Sequence, residues 1–201
     1  MRDEPAPIEP AAGVRFGRTL IVVVAGDVLR QDVEAIVVAA NTRGVLGALS
    51  APGLVGLRSL GGSQIEREAM AQAPLDLGAA IVTGAAGLEP CHIAAVIHAV
   101  VHRSLGDTAR IEHVRRAAGA TLVAADRARL RSVAMPLLGV EADRDDAGVF
   151  ITAIVDEMVA ALRRSTLRLD RVVIACRFDE QAAAAAAAVR RARERAWPRP
   201  A

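Results

Sequence analysis

Cys91, His92, His98 and His102 lie close enough in sequence to raise the question of a metal site. His98 and His102 are four positions apart in an apolar run. On an extended strand that separation is about 13 Å, too far for one ion to join them. No metal is expected, and His98 reads as a packed strand residue. The run Arg190-Arg191-Ala192-Arg193-Glu194-Arg195 could grip phosphates, but reads first as a solvated helix face. Asp156-Glu157 has no partner pattern nearby and reads as surface. The other candidates are residues placed directly after apolar runs. Asp27 follows Gly26 and offers a strong hydrogen-bond acceptor. It could equally be a solvated turn residue or a helix N-cap. Asn41 ends a second run, and its amide both donates and accepts. Gly139-Val140-Glu141 follows a third, and Phe178, one of only 3 phenylalanines, follows the last.

These positions matter because of the elements that must carry them. Leu20 to Ala25, Ala35 to Ala40, Ala79 to Thr83, Ala94 to Val101, Ser132 to Leu138 and Arg171 to Cys176 read as strands. The first two are apolar without alternation, as strands buried on both faces are. Residues 54–73 carry a helical pattern cut by Gly61-Gly62. Helices are also expected from Asp107 (as N-cap) to Leu130, from Asp145 or Asp146 to Arg164, and over 180–196. Strands alternating with helices imply a layered α/β fold with a largely parallel sheet. In such sheets ligands gather beyond the carboxyl ends of the strands. Here those ends are Gly26-Asp27, Ala40-Asn41-Thr42, Leu138-Gly139-Val140 and Arg177-Phe178-Asp179.

Composition narrows the class. With 201 residues, 53% of them hydrophobic, the chain can bury one sizeable core. All 25 basic residues are arginine, and the net charge of +2 argues against a nucleic-acid binder. The 2 cysteines are too few for a disulfide framework or a metal quartet. The acidic, proline-containing start MRDEPAPIEPAAG lacks the pattern of a secretory signal. No apolar stretch reaches the roughly 18 residues that would span a membrane. A cytoplasmic protein without membrane partners is expected. Residues 1–17 are expected to be a flexible tail, 18–197 one domain, and 198–201 a second tail.

At the strand ends the sequence resembles a macrodomain. Gly26-Asp27-Val28-Leu29 followed by Asp32-Val33-Glu34-Ala35-Ile36-Val37-Val38-Ala39-Ala40-Asn41 is similar to the family's opening GDI or GDL and its DAIVNAAN segment. Thr83-Gly84-Ala85, Val96-Ile97-His98, Met135-Pro136-Leu137-Leu138-Gly139 and Val172 to Phe178 resemble further segments in the same order. The resemblance runs from about residue 19 to 196. It implies a three-layer α/β/α sandwich with a mixed, largely parallel central sheet.

It also implies a ligand: ADP-ribose, a related adenine nucleotide or an ADP-ribosylated protein, with no cofactor. Asp27, with Val28 beside it, corresponds to the family's contact with the adenine amino group. Phe178 stands where an aromatic often stacks on adenine, or is a core-edge packing residue. Asn41 corresponds to the contact with the distal ribose, or is a turn asparagine. Leu46 to Gly56 is similar to the glycine-rich first phosphate loop, where Gly47, Gly53, Val55 and Gly56 would line the ligand. Such loops aim backbone N–H groups at phosphate. Gly139, Val140 and Glu141 fall in the second phosphate loop.

Both loops depart from the family. The glycine cluster of the first is thinned, and Pro52 removes a donor. Where one hydrolytic class carries an aspartate, this chain offers Ala51, Pro52, Leu54 or Val55, none of which moves a proton. In the second loop Glu141, Asp143, Asp145 and Asp146 crowd a place that would receive a diphosphate. The expected function is a binding module. The alternatives are an ADP-ribosyl hydrolase with unusual machinery and a degenerate scaffold that binds no nucleotide.

Overall fold

The computed structural model describes residues 13–46, 54–140, 146–164 and 166–196. The chain opens with β1 (Val14–Phe16), which folds back antiparallel onto β2 (Thr19–Ala25). Residues 14–17 therefore belong to the fold and not to a flexible tail. Gly17 supplies the positive φ of +59° that the tight turn needs, and Phe16 is buried. A 3-10 turn (Val28–Arg30) leads to β3 (Ala35–Asn41). Then come α1 (Leu54–Gly61) and α2 (Gln64–Ala71), separated by Gly62 at φ +70°. β4 (Ala80–Gly84), a 3-10 turn (Ala86–Cys91) and β5 (Ala95–His102) follow. The rest is α3 (Ile111–Arg127), β6 (Ser132–Pro136), α4 (Ala147–Arg164), β7 (Arg171–Cys176) and α5 (Asp179–Ala196).

The seven strands form one sheet in the order β1-β2-β7-β6-β3-β5-β4. The five from β2 to β5 are mutually parallel, and β1 and β4 run antiparallel at the two edges. Side chains alternate across the sheet, and both faces are covered. Val37, Ile97, Met135, Val172 and Ile174 join a core closed by α3, α4 and α5. Ile36, Val38, Val96, Ala134 and Val173 join a second core, with Leu57 of α1 and Ile65 of α2. The result is a three-layer α/β/α sandwich.

Two local expectations need correction. α3 begins at Ile111, not after Asp107 as its N-cap. The Asp107 carboxylate instead accepts the Arg103 N–H at 3.1 Å, and its carbonyl oxygen lies 2.8 Å from His102 Nδ1. It closes the turn that leaves β5. Asp156 and Glu157 are also partnered. Glu157 is mostly buried and receives Arg115 at 3.3 Å as well as Arg164. Asp156 receives Arg195 of α5 at 2.5 Å. The partners come from other turns and other helices, so no local sequence pattern reveals them.

The amino edge of the sheet is tied by side chains. Arg18 and Arg131 share Asp170 at 2.9 and 2.7 Å, and Arg168 meets Asp126 at 3.2 Å. These pairs are exposed to solvent and contribute little to stability.

Candidate functional site

Ladder register assembles the carboxyl edge. Ala25 of β2 pairs with Cys176 of β7, Pro136 of β6 with Ala175, and Ile36 of β3 with Ala134. All five parallel strands thus end on one edge, and Asp27, Phe178, Gly139 and Asn41 follow their ends there. The Gly26 N–H donates to the Cys176 carbonyl at 2.8 Å, which carries the β2–β7 ladder one step further. Asp27 and Phe178 therefore leave the sheet side by side.

Asp27 is the N-cap of the 3-10 turn. Its Oδ1 accepts the Leu29 N–H at 3.0 Å, while Oδ2 has no partner among the described residues. The capping bond fixes the carboxylate and leaves one oxygen for a ligand. Val28 is buried through its side chain, so it can offer only its backbone; as the first residue of the turn it has no intrahelical partner for its N–H. Phe178 is 39% exposed, with the Arg177 guanidinium 5.1 Å from the ring centroid.

Asn41 behaves as a turn asparagine. It is 3% exposed, and its Oδ1 accepts from Arg43 N at 2.9 Å and Val45 N at 3.3 Å. Its Nδ2 donates to the Val45 carbonyl at 2.9 Å. Both carbonyl lone pairs are engaged, so one amide N–H remains for a ligand. Removing this side chain leaves part-buried backbone groups of Arg43 and Val45 unpaired. Asn41→Ala is expected to lower unfolding free energy by about 2 kcal/mol in urea denaturation. A loss below about 0.5 kcal/mol would show that the turn holds without it.

Gly139 is required by space as well as by conformation. It has φ +67°, and a Cβ there would stand 2.8 Å from the Ala109 Cβ and 2.9 Å from Val114 Cγ2. The turn after β6 is thus seated hard against α3. The Val140 N–H donates back to the Leu137 carbonyl at 3.4 Å. Val55 and Gly56 fall in the first turn of α1. Gly47, Gly53 and Glu141 lie outside the described residues.

Sequence reasoning missed a clamp at the start of the first loop. Glu66 Oε1 accepts the Leu46 N–H at 2.9 Å, and Arg58 Nη2 donates to the Leu46 carbonyl at 2.7 Å. The two side chains meet at 3.3 Å. Both polar groups of Leu46 are held by one ion pair. Arg58 and Glu66 lie on two helices separated by a break, so helical spacing gives no signal for the pairing. Cys176 ends β7 near this edge. Burial pushes its thiol up to about 12, so it stays protonated and is a poor nucleophile.

Among the described residues no three His, Cys, Asp or Glu side chains gather to hold a metal ion, and no helix is long and apolar enough to cross a membrane.

The fold and the order of its segments agree with comparison to known proteins. The macro domain family model matches residues 37–146, and the chain belongs to that family. It is 36% identical over 138 residues to an uncharacterized protein of Aquifex aeolicus, covering 69% of this chain and 80% of that one. It is 31% identical over 194 residues to an uncharacterized protein of Mycobacterium tuberculosis. That match covers 92% of this chain but 49% of the mycobacterial one, so the chain spans about half the length of this relative. Among solved structures, a mutant macrodomain of Oceanobacillus iheyensis superposes with a TM-score of 0.73 at 15% identity, covering 92% of this chain and 98% of the other. The Trypanosoma brucei macrodomain in complex with ADP-ribose superposes with a TM-score of 0.63 at 21% identity, covering 84% and 68%.

Proposed function

We propose that this chain binds ADP-ribose, free or attached to a protein, along the carboxyl edge of its sheet. The observation that carries the reading is the adjacency of Asp27 and Phe178 at the ends of neighbouring strands, with one Asp27 oxygen unpartnered among the described residues. An acceptor beside an aromatic surface suits an adenine, which has an amino group to donate and a flat face to stack. Asn41 lies three strands further along the same edge, with one donor left for a hydroxyl. At about 4.8 Å per strand the span is about 14 Å, which asks for an extended ligand with a polar group at each end. The Trypanosoma brucei relative solved with ADP-ribose supports the choice of ligand.

The reading is of a binding module and not of a hydrolase. Between Thr42 and Gln64 the sequence holds only Arg43 and Arg58 as ionisable side chains. Neither suits a general base, and Arg58 is committed to Leu46 and Glu66. Calorimetric titration with ADP-ribose tests binding, and incubation with an ADP-ribosylated protein tests turnover. Saturable binding with an unchanged modified substrate is the expected pair of results. Release of ADP-ribose from the substrate would replace the reading with an enzymatic one. Absence of binding would leave the scaffold alternative.

Asp27→Ala is expected to weaken ADP-ribose binding by roughly 1.5–3 kcal/mol, the range for a hydrogen bond to a charged group. Unchanged affinity in a folded variant would remove Asp27 from the site.

A further inference from the structure

A polar pocket lies at the same edge of the sheet, one strand beyond Asn41. It is lined by Arg103, Ser104, Asp107, Thr108, Arg110 and His113, with Leu77 on one side. Its position is fixed by the strand that ends at Asn41. The Thr42 N–H donates to the His102 carbonyl at 3.1 Å, and the Thr42 hydroxyl donates to the Arg103 carbonyl at 2.7 Å. Along the edge the order is therefore Asp27, Phe178, Gly139, Asn41, and then this pocket.

The Arg103 and Arg110 side chains have no ion-pair partner among the described residues. Two unpaired guanidiniums, an imidazole and two hydroxyls lining one concavity are a donor set for an oxyanion. The pocket is not built for a polyanion. Asp107 lines it, so a run of phosphates would meet a carboxylate inside the pocket. Leu77 offers an apolar wall for the methylenes of a side chain.

We propose that this pocket takes a carboxylate of an acidic protein segment that carries ADP-ribose, so that the chain reads the acidic context of the modification as well as the nucleotide. The inference rests on the ADP-ribose reading above. With adenine at Asp27 and Phe178 and the distal ribose at Asn41, whatever is attached to that ribose leads toward β5 and the pocket. An aspartate or glutamate beside the modified residue then reaches Arg103 and Arg110.

The test uses the full chain and three probes. These are ADP-ribose, a synthetic peptide carrying ADP-ribose between two glutamates, and the same peptide with glutamines. The acidic peptide is expected to bind about fivefold more tightly than the neutral one at low salt, with the difference shrinking as salt rises. The double variant Arg103→Gln, Arg110→Gln should erase that difference and leave ADP-ribose affinity unchanged. Equal affinity of the two peptides for the wild type would overturn the proposal, as would equal losses on all three probes. If ADP-ribose itself does not bind, the functional reading fails separately. An unmodified glutamate-rich peptide is then titrated by NMR. Shifts confined to the amides of 103–113, absent in the double variant, would uphold the pocket, and their absence would overturn it.

Discussion

The unfolding free energy of this protein should fall by roughly 3 kcal/mol between pH 6.5 and pH 4 because of a single buried histidine. His98 lies on β5 and is 0% exposed. Its Nε2 is 3.0 Å from the Thr83 hydroxyl on β4, and its Nδ1 has no hydrogen-bond partner among the described residues. The hydrogen-bond network assigns the proton to Nε2, donating to Thr83, which leaves Nδ1 as a bare acceptor. Burial lowers the imidazole to about 4, outweighing the attraction of the Glu68 carboxylate on α2. The folded state therefore holds His98 neutral down to about pH 4, whereas the unfolded chain takes up the proton near pH 6.5. The unfolded state binds more protons between those values. The stabilisation is complete above pH 6.5 and is lost as pH falls toward 4. Glu68, Asp126 and Asp170 carry lowered carboxyl values and add their own losses, beginning as pH falls through 4.5 for Glu68 and through 3.8 for the two aspartates. A difference measurement isolates the histidine. In urea unfolding at pH 7.5 and 4, the gap between wild type and His98→Gln should change by roughly 3 kcal/mol. Parallel profiles would show that His98 is hydrated or partnered in solution.

The parts legible in the sequence were those written in periodicity and order. The apolar runs at Leu20, Ala35, Ala94 and Arg171 gave strands within one or two residues of β2, β3, β5 and β7, because strands buried on both faces must be continuously apolar. The parallel sheet then brought the four strand ends to one edge, as parallel connections require. What stayed hidden depended on partners far away in sequence. β1 was hidden because three residues of a hairpin at the end of a proline-rich stretch carry too little pattern. Asp107 looked like a cap because aspartate before a helix usually is one; only the turn after β5 shows that its carboxylate is used elsewhere. Asn41 shows the limit most clearly. Its position follows from the sequence, but the engagement of its carbonyl oxygen with Arg43 and Val45 does not. The Arg58–Glu66 clamp on Leu46 had no signal at all, since it joins two helices across a break.

Replacing Glu141 with glycine should tighten ADP-ribose binding by about a hundredfold or more. The chain enters this segment from a fixed point. Gly139 is held at φ +67° between Ala109 and Val114, and Val140 is bonded back to Leu137. Glu141 lies outside the described residues, but it carries a charge and a Cβ two residues after that fixed turn. In the proposed binding mode the diphosphate passes here, between Phe178 and Asn41, because β6 lies between β7 and β3. A carboxylate about 6 Å from a phosphate charge, at an effective dielectric near 20, costs about 3 kcal/mol, which is about a hundredfold in affinity. The Cβ adds a second obstacle, because it makes the positive φ open to glycine costly. The two effects separate by substitution. Glu141→Gln removes the charge and keeps the side chain, so it should recover only the electrostatic part, and that part should shrink with rising salt. Glu141→Gly should recover both. On this account the wild type binds ADP-ribose weakly and favours ligands with less phosphate charge, such as adenosine. Calorimetry of the three proteins against ADP-ribose and adenosine, at two salt concentrations, decides it. Submicromolar ADP-ribose binding by the wild type, with no gain in either variant, would mean that Glu141 points into solvent and leaves the diphosphate path uncharged.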